Sequence, residues 1–489
     1  MRPLIGNQTP LLGTRRGQVL VATGTCLAIA FAWHAFQHPL VVLAAGLAPF
    51  ALLGVLRMPF PVVLAFVVFS FFRIHEVIQP LYPLRIPQLL ALGALGSLAW
   101  GLWHRQIRVY WRPELTVFAV FFALVTLGVL LATNRPSAIE AWTGTYSKIG
   151  IMVLAIAWLA TSREAFRLTV RVVLACGLLL AMVTLYNKAN GIGLVEGTRA
   201  TIARNLGSML GDPNDLALTL LFPASFALAV LLSRGSHWFW RLMGALCFVA
   251  VVAAIIATQS RGGLLGIAAV TGIFAYRRVR SKLLLALAGA AVLAALFTVA
   301  GISDRASGGA HEQGVDESAM GRIYAWGAAY RMALDNPVSG VGLNNFLGNY
   351  WAYSAHWDGR NHAVHSTWFG VLAETGFIGL AVFVVMVTVT LILVRRSAML
   401  LAPGQPGHVH DANLVALGVE AGLVGFIVSG TFLTMGFLWP FYILLALAVA
   451  VGEFARRQTA RPSQGVSQNA IRREIDGPQR GPTQPRVPA

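Results

Sequence analysis

Long apolar runs, separated by short polar or Pro- and Gly-containing breaks, dominate this chain, for example at residues 283–300 and 367–394. Runs of roughly 18 or more apolar residues are typical of membrane-spanning helices. The pattern therefore predicts an all-α, polytopic integral membrane protein with about 12 to 14 transmembrane helices. The predicted spans are 18–36, 39–56, 59–74, 87–103, 114–132, 147–161, 167–187, 212–232, 243–258, 263–276, 282–300, 366–394, 412–434 and 440–455.

Two of the polar connections are long, residues 187–211 and 302–365, and both are predicted on the same side of the membrane. The second contains an amphipathic stretch, 320–335, whose apolar residues recur at helical spacing before Asn336-Pro337 ends the helix. Such a helix would lie at the membrane–water interface and cover a cavity. Long loops with a helix of their own usually carry function.

The composition supports the membrane assignment. The 489 residues are 57% hydrophobic and only 11% charged, with a mean hydropathy of +0.68, whereas soluble domains carry about 25% charged residues. A soluble enzyme, a nucleic-acid-binding domain and a disordered chain are therefore excluded. Residues 1–455 are predicted to form one transmembrane domain that includes the 302–365 loop. Residues 456–489, rich in Arg, Gln, Pro and Gly, are predicted to be a disordered basic cytoplasmic tail.

The distribution of the positive charges that give the chain its net charge of +18 indicates how the chain is oriented in the membrane. With an even number of spans and the N-terminus inside, 25 of the 37 Lys and Arg residues lie on the inner side. The positive-inside rule then predicts cytoplasmic termini and places both long loops outside. Twelve positive charges remain on the outer side.

Two outer arginines are candidates for anion binding. Arg261 lies in a tight Gln-Ser-Arg-Gly-Gly turn between two apolar runs, and Arg322 precedes Trp326 by one turn of the amphipathic stretch. Clustered guanidinium groups bind phosphate oxygens bidentately. The alternative is that these arginines extend to lipid headgroups.

Three histidines, His356, His362 and His365, lie at the end of the long outer loop. A histidine at a membrane surface can act as a base because its pKa lies near neutral pH. The alternative is an interfacial histidine that caps a helix. His362 and His365 alone do not supply the ligand set of a zinc site, so no metal is predicted.

Two acidic positions favour a structural interpretation. Glu374 lies about 13 Å along the helix from His365 and on its opposite face, so it is predicted to bond a neighbouring helix, with Gly376 and Gly379 allowing close packing. Asp212, before Pro213, is predicted to be a helix N-cap, with Arg199 and Arg204 just upstream.

Four motifs in this order on one side of the membrane resemble the O-antigen ligase superfamily, which includes O-antigen polymerases and bacterial protein O-oligosaccharyltransferases. The motifs are Ser-Arg-Gly at 260–262, Gly-Arg-x-x-x-Trp at 321–326, Asp-Asn-Pro at 335–337 with Gly-Val-Gly at 340–342, and His-x8-Glu-x-Gly-x-x-Gly at 365–379.

This resemblance implies a GT-C-like, metal-independent, inverting glycosyltransferase of the bacterial inner membrane, with its active site facing the periplasm and no cofactor. It implies that a glycan on undecaprenyl pyrophosphate is transferred to lipid A–core oligosaccharide. Arg261 and Arg322 match the family arginines expected to bind the pyrophosphate, and His365 matches the expected base. Arg199, Arg204, Trp326 and His362 are further candidates for substrate binding.

Two alternatives stay open at this point. The first is a polymerase or a protein O-oligosaccharyltransferase, which differs only in the acceptor. The second is a transporter of lipid-linked sugars, which would predict several ionisable groups within the spans and paired discontinuous helices. Only Glu374 and Glu420 are clearly within the predicted spans, which counts against transport.

Overall fold

The computed structural model describes residues 15–36, 39–299 and 317–460. These residues form eighteen α-helices, joined mostly by short turns and by a longer connection at residues 191–212. The helices are α1 Arg15–Phe36, α2 Pro39–Arg57, α3 Pro59–Ser70, α4 Ile74–Val77, α5 Ile86–Trp103, α6 Pro113–Leu131, α7 Arg135–Ala141, α8 Ser147–Leu159, α9 Arg163–Asn190, α10 Pro213–Leu232, α11 Trp238–Thr258, α12 Arg261–Tyr276, α13 Lys282–Val299, α14 Glu317–Asp335, α15 Phe346–Tyr353, α16 Thr367–Leu400, α17 His410–Ser429 and α18 Trp439–Thr459.

The all-α, membrane-spanning architecture is confirmed. Among the described residues, eight helices are long and apolar enough to cross a membrane, or up to nine if α2 and α3, which meet at 103°, count as one span. The other predicted spans correspond to shorter or bent helices such as Val21–Ala35, Arg261–Tyr276 and Lys282–Ala295. The count of long spans is therefore lower than the predicted 12 to 14, because apolar composition does not reveal where a run bends or stops.

The predicted amphipathic helix is confirmed as α14, and α15 is an additional helix in the same loop. Residues 302–316 of that loop and the tail beyond residue 460 lie outside the described residues. Helix α18 continues to Thr459, so the first four residues of the predicted tail, 456–459, are helical. The carboxylate of Glu453 explains the longer helix, because it accepts hydrogen bonds from Arg456 and Arg457 one turn further on.

Helix α10 lies at the centre of the bundle, and 83% of its apolar window is buried within the protein. Its neighbours approach it through glycines. A Cβ atom on Gly177 of α9 would lie 2.2 Å from Pro223, one on Gly244 of α11 would lie 2.8 Å from the Ala227 carbonyl oxygen, and one on Gly418 of α17 would lie 2.8 Å from the Phe226 ring. Lipid tails are as apolar as these side chains, so close packing rather than water exclusion holds such helices together.

The ends of the helices lie on two different faces of the bundle. On one face, here called the basic face, Arg167 of α9 pairs with Asp411 of α17, Arg277 at the end of α12 pairs with Glu420, and Trp158 of α8 donates to the Tyr110 carbonyl. This face collects the segments that the arginine count assigns to the cytoplasm.

On the other face, here called the loop face, the long connections meet. Asn345 bonds the main chain of Asn134, Thr198 bonds Gln259, and Ser208 donates to Glu76. Both long loops predicted on one side of the membrane therefore lie on one face of the protein.

Helix α16 is broken at Gly376, which has φ 68° and ψ −170°. The segment after α14 fills the break, since the N–H of Phe377 donates to the Pro337 carbonyl (2.9 Å) and the N–H of Val341 donates to the Ala373 carbonyl (2.8 Å). A Cβ atom on Gly376 would lie 2.5 Å from the Pro337 oxygen, and one on Gly340 would lie 2.4 Å from the Ala373 oxygen. Glycine is required at both positions by the backbone angles and by the lack of space.

Replacing Gly376 with alanine is expected to destabilise the protein by about 2 kcal/mol or more, because this backbone region is accessible essentially only to glycine. Thermal unfolding of the detergent-solubilised protein measures the change. Gly348→Ala in α15 is the matched control, since nothing lies within 4 Å of the added Cβ atom. Equal melting temperatures for the two variants would contradict this account of the break.

Candidate active site

Arg261 begins α12 on the loop face. Its turn is fixed by the Ser260 hydroxyl, which caps the helix by accepting from the Gly263 N–H (3.2 Å), and by Gln259, which has φ 51°. A Cβ atom on Gly263 would lie 2.5 Å from Ala217 of α10. The two glycines after Arg261 thus hold this helix end against the bundle, and the half-buried arginine stands at the end of a rigid helix.

Arg199 is buried and links the 187–211 loop to two helix ends. Its Nε donates to the Thr258 carbonyl (3.2 Å), and its Nη2 donates to the Asn214 side chain (2.9 Å). The structure therefore places this predicted substrate-binding arginine beside the Arg261 turn, in a position that orders the loop. Arg204 is exposed in a short turn of the same loop and packs against Gly211.

The predicted N-cap at Asp212 is confirmed. Its carboxylate accepts from the N–H groups of Asn214 (2.7 Å) and Asp215 (3.2 Å) at the start of α10. The residue is nevertheless exposed, so its negative charge also faces the surface of the loop face. Asp212 thus caps α10 and also presents a negative charge to the loop face, which the N-cap pattern alone does not predict.

Helix α14 presents Arg322 and Trp326 one turn apart. The Arg322 guanidinium carbon lies 5.8 Å from the centre of the Phe432 ring. Phe432 also contacts the α12 turn, because a Cβ atom on Gly262 would lie 3.3 Å from its Cβ atom. Phe432 therefore connects Arg322 to the turn that carries Arg261, and the apolar sequence around it gave no sign of this role.

Trp326 is partly buried, and its contacts are with the protein. Its ring stacks on Phe369 at 5.1 Å with an angle of 7° between the planes, and its Nε1 donates to the Val364 carbonyl (3.1 Å). Trp326 thereby ties α14 to the residue immediately before His365.

His365 lies immediately before Ser366, the N-cap residue of α16, and has φ 45°. The Ser366 hydroxyl caps the helix by accepting from the Phe369 N–H (3.4 Å), so the histidine is not itself the cap. The surrounding protein displaces part of its water and lowers the pKa of His365, the charge of Arg322 lowers this pKa further, and Asp212 raises it. The imidazole is therefore mostly neutral at pH 7, and both Arg322 and Asp212 lie close enough to act on it.

The other two histidines of the cluster lie beside the site. His362 is exposed and bonds the Asp358 carboxylate (3.0 Å), and its ring edge meets Tyr350. His356 stacks on Tyr324 with 4.0 Å between the ring centres. Among the described residues, no group of three or more His, Cys, Asp or Glu side chains is arranged to hold a metal ion.

Glu374 bonds the start of a neighbouring helix, as predicted. Its carboxylate accepts from the N–H groups of Asn344 (2.9 Å) and Phe346 (3.2 Å) at the N-terminus of α15. A carboxylate there satisfies main-chain donors and complements the helix dipole. Glu374 therefore belongs to the framework of the loop, two residues before the break at Gly376.

The loop face thus carries His365 with Arg322 and Asp212 within electrostatic reach, and it also carries Arg261 and Arg199 at nearby helix ends. This arrangement can bind an anion and accept a proton beside it. Residues 246–384 match the family model described as O-antigen ligase. This match supports the O-antigen ligase superfamily for this segment of the chain.

The matched residues include Arg261, Arg322 and His365, and the family assignment expected from the motifs is confirmed. Members of this family are membrane enzymes of the glycosyltransferase type, ligases or polymerases, which act on lipid-linked glycans. A search of curated proteins gives no match. Arg199, Arg204 and Asp212 lie outside the matched region, and of these three the fold brings Asp212 within electrostatic reach of His365.

Removing the charge of Arg322 is expected to raise the pKa of His365, because a positive charge disfavours the imidazolium form. Removing the charge of Asp212 is expected to lower it, for the opposite reason. The pH dependence of carbethoxylation at His365, followed by peptide mass spectrometry in wild type, Arg322→Gln and Asp212→Asn, measures both shifts. His104 on the basic face is the internal control, and identical midpoints for His365 in all three proteins would contradict the site geometry.

Proposed function

We propose that the protein is an O-antigen ligase, which transfers a glycan from undecaprenyl pyrophosphate to lipid A–core oligosaccharide. The proposal places it in the bacterial inner membrane, with cytoplasmic termini and with the loop face in the periplasm. Support for this orientation comes from the collection of arginine-rich segments on the basic face. The observation that carries the proposal is that a neutral His365 lies within the electrostatic reach of Arg322, on the face that also holds Arg261.

The arginines supply charge stabilisation in this mechanism. Arg261 and Arg322 bind the pyrophosphate oxygens, which carry increasing negative charge as the bond between the anomeric carbon and the phosphate oxygen breaks. Preorganised guanidinium groups stabilise that charge without reorganising at the moment of reaction. The rigid attachment of Arg261 at the start of α12 supports this role.

His365 supplies the base. Its neutral imidazole accepts the proton of the acceptor hydroxyl while the oxygen bonds the anomeric carbon from the side opposite the leaving group. Undecaprenyl pyrophosphate departs with the bonding electron pair, and the glycan is transferred with inversion. Asp212 stabilises the imidazolium that forms, because its carboxylate favours the protonated state.

A reconstituted reaction with lipid-linked glycan and lipid A–core tests these roles. His365→Ala is expected to lower the rate by about 10² to 10⁴-fold, the range typical of general base catalysis. Arg261→Ala and Arg322→Ala are expected to lower it by about 10²-fold or more. Arg331→Ala is the matched control, since Arg331 is on α14 but is exposed and donates to the Tyr353 carbonyl. Wild-type rates in His365→Ala and Arg261→Ala would refute the mechanism.

The same assay separates the acceptors and tests the need for a metal. Elongation of the lipid-linked glycan without transfer to lipid A–core would identify a polymerase, and transfer to a protein would identify an O-oligosaccharyltransferase. The ligase activity is expected to persist in EDTA, because the proposed site neutralises pyrophosphate with arginines. Loss of activity in EDTA that returns with a divalent cation would overturn this part of the proposal.

The rate is also expected to fall at acidic pH, since protonation removes the base. The expected midpoint lies below the ordinary histidine value, in accord with the lowered pKa of His365. Asp212→Asn is expected to move this acidic limb to lower pH, because the pKa of His365 falls further without the carboxylate. A limb that stays in place would show that Asp212 does not act on the base.

A further inference from the structure

A cavity of about 370 Å³ opens on the basic face, remote from the active site, between the starts of α9, α11 and α17. Three arginines line it, Arg163, Arg167 and Arg171, at four-residue spacing along one side of α9. The remaining polar lining comes from Ser236, His237, His410 and Asp411. Its size is that of ligand-binding pockets.

The charge of this cavity is strongly positive. Asp411 is the single carboxylate in the lining, and it pairs with Arg167 (3.0 Å). Neither Arg163 nor Arg171 has an acidic partner among the described residues, and the Arg171 guanidinium carbon lies 4.7 Å from the centre of the Trp240 ring. Two guanidinium groups at the rim are therefore available to an anion.

Hydrogen bonds hold the side chains of the cavity wall in place. His410 Nε2 bonds the Ser236 hydroxyl (3.0 Å), and the main chain at Gly235 lies so near that a Cβ atom there would be 2.9 Å from His410 Nδ1. His237 caps α11 by accepting from the Phe239 N–H (3.3 Å). These bonds hold α11 and α17 together around the opening.

The surroundings of the cavity indicate its depth in the membrane. Trp238 and Phe239, next to the wall, are 67% and 44% exposed, and Leu242, Leu246 and Val249 continue an exposed apolar surface along α11. Exposed aromatic residues at a helix end mark the headgroup level of the bilayer. Arginines at that level are within reach of lipid phosphate groups.

We propose that this cavity binds the phosphodiester headgroup of an anionic phospholipid, with Arg163 and Arg171 on the phosphate and the acyl chains along the exposed surface of α11. Basic pockets between membrane helices bind lipid headgroups in this way. The site is separate from the proposed transfer reaction, and its test measures binding alone.

The full-length protein in detergent is titrated with phosphatidylglycerol, and bound lipid is counted by native mass spectrometry. Arg163→Ala/Arg171→Ala is expected to weaken binding by about tenfold or more, given the contribution of each arginine near a headgroup. Arg395→Ala/Arg396→Ala, which removes two exposed charges of α16 outside the cavity, is the matched control and should bind as wild type. Phosphatidylcholine should bind at least tenfold more weakly than phosphatidylglycerol.

Three results would overturn the proposal: equal losses in the two double variants, equal binding of the two lipids, or displacement of phosphatidylglycerol by millimolar inorganic phosphate. The last result would identify a site for free phosphate. Gel filtration and thermal unfolding check that the variants fold. Should the double variant fail to fold, Arg163→Gln alone is expected to weaken binding severalfold, and wild-type binding by this variant would refute the site.

Discussion

Two main-chain hydrogen bonds across the break at Gly376 determine the arrangement of the loop face. They join the segment after α14 to the two halves of α16, and glycine at 340 and 376 allows the approach. Arg322 lies on α14 and His365 lies at the start of α16, so their separation depends on this junction. Side-chain contacts between Trp326, Phe369 and the Val364 carbonyl reinforce it.

A membrane protein must satisfy its main-chain polar groups internally, and this explains how three of its polar side chains are used. Glu374 accepts from the start of α15, Asp212 from the start of α10, and Ser260 from the start of α12. Each of these three helix starts thus receives a side-chain acceptor. Arg261 stands on the end that Ser260 caps, and His365 precedes the end of α16 that Ser366 caps, so both groups have a rigid support.

The positive charges of the chain serve separate purposes on the two faces. On the basic face, arginines pair with Asp411, Glu420 and Glu453 and line a cavity. On the loop face, the buried Arg199 orders a loop, Arg322 lies near Phe432 and acts on His365, and Phe432 contacts the turn that carries Arg261. An anionic substrate and anionic lipids would thus be bound at opposite ends of the same bundle.

The sequence by itself determined the helical membrane class, the amphipathic α14, the cap at Asp212 and the family motifs, because apolar periodicity and capping are local properties. It did not reveal the bend between α2 and α3, the break in α16, or Phe432 as the link between the two arginines. Nor did it distinguish Trp326 and Arg199, which hold the site in place, from Arg261 and His365, which stand at its surface. Those roles depend on which helix ends meet, and only the packing of distant segments decides that.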